Sequence, residues 1–230
     1  MNNDNLISLL KSPPKVHDWG SGELTATGMP IEVFEFMDSV LSHNSRTIET
    51  GLGISTAVFA LKGSHHTCIT PDSGEITRIK KYLKGKEISF GDIIFICKKS
   101  CDVWFDLKNY FGWDLILIDG LHGFPTPFMD WYFFAQGLKI NGYVIIDDTH
   151  IATGKYLKDF LERDESWNLI NSFYGKTAIF QKIKEFDPNK EFINQPFILS
   201  ETQRINKYKR ITDKARKLKF IAHNLTKKFI

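Results

Sequence analysis

With 230 residues, 42% of them hydrophobic, and a net charge of +3, the chain is long enough for one α/β domain with a real core and an appended segment. Its three cysteines, Cys68, Cys97 and Cys101, are odd in number and lack CxxC spacing, which speaks against a disulfide framework and against a zinc site. No 18 apolar residues run together, and the start MNNDNLISLLKSPPK lacks a basic stretch followed by an apolar one, so a soluble cytoplasmic protein is expected.

Residues 1–30 mix polar positions with Pro13, Pro14, Gly20, Gly22 and Gly28 and read as a loosely structured leading segment and lid, with Trp19 a candidate lid residue. Residues 31–41 (IEVFEFMDSVL) show helical spacing of apolar positions. Short apolar runs then alternate with helical stretches. The predicted strands are 47–50, 67–70, 93–97, 114–118, 143–146, 167–172 and 176–182, and the helices between them 55–61, 74–83, 104–110, 127–138 and 153–163. This alternation predicts a doubly wound, mostly parallel seven-stranded sheet covered on both faces. Only Tyr174 and Gly175 lie at the junction of the last two strands, so these should close the sheet as an antiparallel hairpin.

From Lys184 the pattern decays through Asp187, Pro188 and Pro196, then resumes as a basic helical stretch from about Glu201. There Ile205, Tyr208, Ile211, Ala215, Leu218, Ile221 and Leu225 recur at steps of three or four. Residues 201–230 hold ten Lys or Arg against two acids, which leaves the first 200 residues with 20 cations against 25 acids. A tail of that kind suits an anionic membrane surface, nucleic acid or an acidic partner, and a solvated helix face is the plainer alternative. The expected organisation is a segment 1–30, a ligand-binding domain 31–184, and a linker with a basic amphipathic helix over 185–230.

Two patterns carry chemistry. RTIETGLGISTAVFAL places Glu49, Gly51, Gly53, Ser55 and Thr56 at the first strand-to-helix turn, where an open parallel sheet receives a nucleotide-like ligand. Glycines admit the ligand to the backbone and the helix start offers free N–H groups, although glycines also serve tight turns for structural reasons alone. Thr56 in the third glycine place disfavours a dinucleotide. In WDLILIDGLHGF and GYVIIDDTH, Asp119 ends the fourth strand and Asp147 and Asp148 end the fifth, so the three carboxylates should converge on one crevice. Such a cluster repels itself unless neutralised, and oxygen donors suit Mg2+, Mn2+ or Ca2+. Three places past Asp119 stands His122, and histidine is a side chain suited to take a proton from a hydroxyl. Each of these residues also has a structural reading: a helix cap for Asp147 or Asp148, a loop hydrogen bond for His122 or His150.

The run E-x-G-x-G-x-S-T resembles motif I of the class I S-adenosylmethionine-dependent methyltransferases. DLILIDGLHGFPTPFMDW with GYVIIDDTH resembles the metal-dependent small-molecule O-methyltransferases of the catechol and macrocin or macrolide-sugar types, over about residues 45–183. The resemblance implies a Rossmann-like fold and S-adenosylmethionine as cofactor, with Glu49, Gly51, Gly53, Ser55 and Thr56 lining its methionyl end. Thr70 or Asp72 would hold the ribose, in place of the acid the family carries at the end of its second strand, and Ser100 would face the adenine. Asp119 would also touch the cofactor. Asp119, Asp147 and Asp148 would bind a divalent metal, Mg2+ by preference, with His122 as base and Asp119 beside it as a catalytic residue. The implied reaction moves a methyl group to a hydroxyl of a small molecule, a sugar, glycan or secondary metabolite, and leaves S-adenosylhomocysteine. Phe124 would wall the acceptor pocket, and the basic helix would reach an anionic membrane or a phosphorylated glycan. A homo-oligomer is compatible with all of this. The rival expectation is a basic-tailed RNA-binding or RNA-methylating protein, disfavoured because IDGLHG stands where an N/D-P-P-Y/F signature would be needed.

Overall fold

Seven strands order the molecule as β5-β4-β3-β6-β7-β9-β8 in the computed structural model, which describes residues 3–18, 20, 22–26, 28–107, 110–187 and 189–226, with side chains as far as 219. They are β3 (Arg46–Thr50), β4 (His65–Thr70), β5 (Ile93–Cys97), β6 (Trp113–Ile118), β7 (Leu138–Ile146), β8 (Trp167–Phe173) and β9 (Thr177–Lys182). The pairs from β5 through β7 are parallel, and β9 runs antiparallel to both β7 and β8. Leu115–Ile118 and Val144–Ile146 are buried without alternation, because helices cover both faces of the sheet. One face holds α2 (Ile31–Val40), α3 (Ile54–Lys62) and α4 (Ser73–Gly85) over a cluster that includes Phe34, Met37, Phe59, Ile79 and Leu83. The remaining helices of the sheet unit are α5 (Trp104–Leu107), α6 (Thr126–Ala135) and α7 (Ala152–Leu161), where Trp131 packs on Phe160, Trp167 and Phe186.

The chain builds outward from β3 to β5 and then returns to lay β6 on the other side of β3, so the direction of winding reverses between β3 and β6. A crevice opens at such a switch point. Register decides what enters it: Thr50 pairs with Ile118, and Ile118 with Ile146. The first residues past those strands, Gly51, Asp119 and Asp147, therefore lie abreast. Asp119 N–H donates to Thr50 O at 3.1 Å and Asp147 N–H to Ile118 O at 3.0 Å.

Three expectations need correction. Residues within 1–30 are not loosely structured: α1 (Asn3–Lys11) buries Leu6 and Leu9, and β1 (His17–Asp18) pairs with β2 (Leu24–Thr25). Two buried leucines contribute about 1.5–3 kcal/mol each, enough to hold a nine-residue helix whose own sequence is mostly polar. Trp19 lies outside the described residues. The sixth helix stops at Ala135 and β7 already begins at Leu138, because Gly137 O takes the N–H groups of Gly112 and Trp113 and starts a strand there.

Residues Met1–Pro188 and Asn189–Ile230 form separate compact units. The second contains a 3-10 turn, Phe192–Asn194, and the 31-residue helix α8 (Pro196–Thr226), whose side chains from 203 to 219 are all exposed. Among the described residues no helix is long and apolar enough to cross a membrane.

Candidate functional site

At the carboxyl ends of the strands lies a cavity of about 490 Å³, lined by Gly51, Gly53, Ser55, Thr70, Asp72, Ser100, Asp119, His122, Asp147 and Asp148. That volume suits a cofactor-sized ligand. The leading segment contributes His17, Gly28 and Met29 to its wall, and α2 contributes Phe34. A second cavity, of about 430 Å³, lies around residues 40–45 and 139–143 and contains none of the expected site residues.

Glu49 and Thr56 do not line the cavity, contrary to expectation; they hold the glycine turn from beneath. Glu49 is 1% exposed, and its carboxylate accepts hydrogen bonds from Ser55 Oγ at 2.7 Å and from the Thr56 hydroxyl, with His66 Nε2 at 3.1 Å. Gly53 N–H donates to Thr56 Oγ1 at 3.1 Å. His66 in turn meets Thr47 Oγ1 at 2.8 Å and stacks on Phe59 with ring centres 4.1 Å apart. Cys68 belongs to the same buried group, and burial, with Glu49 nearby, pushes its thiol well above the usual range. Gly51 has φ +90°, and a Cβ there would stand 2.2 Å from the Asp119 carbonyl oxygen. Only glycine lets the first turn approach the end of β6 so closely. The start of α3 beside it supplies N–H groups that the helix ladder does not use.

At the next strand end two acids reach the cavity wall, Asp72 and Glu75. Asp72 caps α4: its Oδ1 accepts from the N–H groups of Gly74 at 2.6 Å and Glu75 at 3.2 Å, and Arg78 Nη2 lies 3.3 Å from Oδ2. Glu75 lines the same wall, with Oε2 accepting from Thr70 Oγ1 at 3.0 Å and Oε1 2.8 Å from His17 Nδ1. The D-x-x-E spacing of Asp72 and Glu75 is a helix-start signature and was the signal available for it. Ser100 opens a short 3-10 turn, Ser100–Asp102, next to α5, whose Trp104 Nε1 donates to Asp130 at 2.7 Å. Burial raises the Asp130 carboxyl to about 6, against the lowering effect of its bonds from Trp104 and Ser100.

The three strand-end acids do gather, with unequal partners. Burial first, and then the charges of Asp147, Asp148 and Glu49, hold Asp119 well above the usual carboxylate range, with Lys176 acting the other way. Asp147, 5% exposed, accepts from the Thr177 hydroxyl and has Lys176 Nζ 3.7 Å from its other oxygen. Lys176 also donates to Gly28 O at 2.8 Å. Nothing in the sequence pattern marked this lysine, which sits in the turn between β8 and β9. Asp148 has φ +52°, a left-handed conformation, and its carboxylate faces His122 Nε2 at 3.0 Å and His150 Nδ1 at 3.6 Å.

One ligand atom each from Asp119, His122 and Asp148 lies within 4.8 Å of the others, a spacing that can hold a cation. The residues present therefore fit a divalent ion: Asp119 and Asp148 offer carboxylate oxygens with His122 beside them, while Asp147 is engaged by Thr177 and Lys176. The Thr153 hydroxyl donates to the His122 carbonyl and fixes that loop. Phe124, 80% exposed, meets Phe128 edge-on with centres 6.2 Å apart and, with exposed Leu121, forms an apolar rim on the same loop.

No protein-family model matches the sequence, and no curated protein does. Solved structures do. A candidate O-methyltransferase from Klebsiella pneumoniae superposes with a TM-score of 0.60 at 11% identity, over 80% of this chain and 92% of its own. A candidate methyltransferase from Streptococcus mutans in complex with SAH gives 0.53 at 13%, over 68% and 99%. A candidate rRNA methylase from Clostridium thermocellum gives 0.56 at 13%, over 71% and 100%. With the strand order and the switch-point cavity, these likenesses give the chain the class I methyltransferase fold.

Proposed function

We propose that the protein is an S-adenosylmethionine-dependent O-methyltransferase acting on a hydroxyl of a small molecule, a sugar, glycan or secondary metabolite. The observation that carries this reading is the meeting of Asp119, His122 and Asp148 in the same cavity as the Gly51–Gly53 turn. The cofactor's methionyl end would lie on that turn and the start of α3, and its adenine toward Ser100. Asp119 and Asp148 would hold a divalent cation, which supplies charge neutralisation and lowers the pKa of an acceptor hydroxyl. Asp148 orients the His122 ring through Nε2, which leaves Nδ1 to take the hydroxyl proton. The acceptor oxygen would then take the methyl group from the cofactor's sulfonium, whose S–C bond would break with the electron pair left on sulfur to give S-adenosylhomocysteine. Phe124 and Leu121 would pack against the acceptor.

Methylation of RNA is the second reading, favoured by the exposed basic face of α8 and by the rRNA-methylase neighbour. The test is calorimetric titration of S-adenosylmethionine with and without Mg2+, followed by turnover assays on sugar, catechol and RNA acceptors. We expect cofactor binding in the wild type, and for His122→Ala a fall in kcat of about 10²–10⁴ with cofactor affinity retained. A wild type that binds no S-adenosylmethionine would sink the reading, and turnover on RNA alone would replace the acceptor.

A further inference from the structure

A ribose offers two vicinal hydroxyls, and a carboxylate with open lone pairs is the side chain that accepts both. A carboxylate has about four acceptor sites. Asp72, the nearer acid to the end of β4, spends three of its own on Gly74 N–H, Glu75 N–H and Arg78, and about one is left. Glu75 is differently placed. Its side chain is 15% exposed and lines the cavity, Thr70 and His17 each take one site, and about two sites are left.

The partner His17 lies on the β1–β2 ribbon, which α4 already holds at two points outside the cavity. Arg78 Nε donates to Val16 O at 2.6 Å, and Tyr82 Oη donates to Ser12 O at 2.7 Å. These contacts position the ribbon. The His17–Glu75 contact is the one that brings it to the ligand wall.

We propose that Glu75 is the ribose-recognising carboxylate, and that His17, bound to the same carboxylate, makes closure of the leading segment over the cavity part of ribose recognition. The inference rests on the proposed cofactor class. It moves the ribose contact from the strand end, where Thr70 and Asp72 were expected to make it, to the first turn of α4. Thr70 then serves as a positioning residue that fixes Oε2.

The experiment titrates S-adenosylhomocysteine and its 2′,3′-dideoxy analogue into the full-length wild type, Glu75→Gln and Asp72→Asn. Glu75→Gln should weaken S-adenosylhomocysteine about 10- to 100-fold, the scale of hydrogen bonds to a charged acceptor, and leave the dideoxy analogue nearly unchanged. Asp72→Asn, which weakens only the helix cap, should shift both ligands alike. His17→Ala should speed release of S-adenosylhomocysteine in stopped flow more than release of the dideoxy analogue, and equal acceleration of both would overturn the coupling of closure to the ribose. An equal loss on both ligands in Glu75→Gln, or no loss on either, overturns the inference while the function stands. Failure of the wild type to bind S-adenosylhomocysteine removes the proposed function and this inference together.

Discussion

Beneath the turn after β3 lies a buried acid, Glu49, and in the crevice beside it a half-buried one, Asp119, and their partners could hardly differ more. Glu49 has every direction filled by Ser55, Thr56 and His66. Asp119 lies among other carboxylates, with the Lys176 charge opposing them. A saturated carboxylate has nothing left to offer a ligand and works as a rivet. An unsaturated one keeps its capacity for something that arrives later, and the empty protein bears the cost. Proximity to a motif is therefore a poorer guide to function than the number of lone pairs left over.

Stability measurements can break this contrast or sharpen it. The largest effect should come from Glu49→Ala, which strands His66 and two hydroxyls in the core: a loss of about 3–5 kcal/mol in urea unfolding. A loss below about 1 kcal/mol would mean the network is not a rivet. Next is Asp130, a buried acid whose second oxygen has no hydrogen-bond partner. Its folded value of about 6 lies above the ordinary 3.8, so the folded state binds the proton more tightly. The stabilisation is complete below pH 4 and disappears as pH rises through 6. The window corresponds to about 3 kcal/mol, so Asp130→Asn should flatten the fall in stability between pH 4 and 7 and raise it at pH 8. An unchanged pH slope would refute the assignment. The smallest effect has the opposite sign to the first. Asp119→Asn, unfolded in the presence of chelator at neutral pH, should gain about 0.5–2 kcal/mol because it relieves like-charge crowding. Destabilisation there would erase the distinction between the two acids.

Much of the architecture was readable because the physics that forms it is local. Unbroken apolar runs such as LILI and VII report a sheet covered on both faces, and three residues between β8 and β9 leave room only for a hairpin. α1 escaped because its few apolar residues stand among polar ones, and its order comes from tertiary burial of Leu6 and Leu9. The site was readable as positions and not as partnerships. Strand ends told where Asp119, Asp147 and Asp148 would stand, while the roles were divided by residues distant in the chain: Thr177 and Lys176 claim Asp147, and His17 reaches Glu75 across 58 positions. No spacing rule carries that information.

The left-handed backbone at Asp148 limits what can replace it. Gly154 packs so near that an added Cβ would sit 2.7 Å from the Asp148 carbonyl oxygen, leaving the bend little room to relax. Aspartate, asparagine and glycine are the residues that tolerate such a bend. Acid and amide can thus interchange here at little conformational expense, and the crevice can lose one negative charge in a single codon step while the scaffold stays intact.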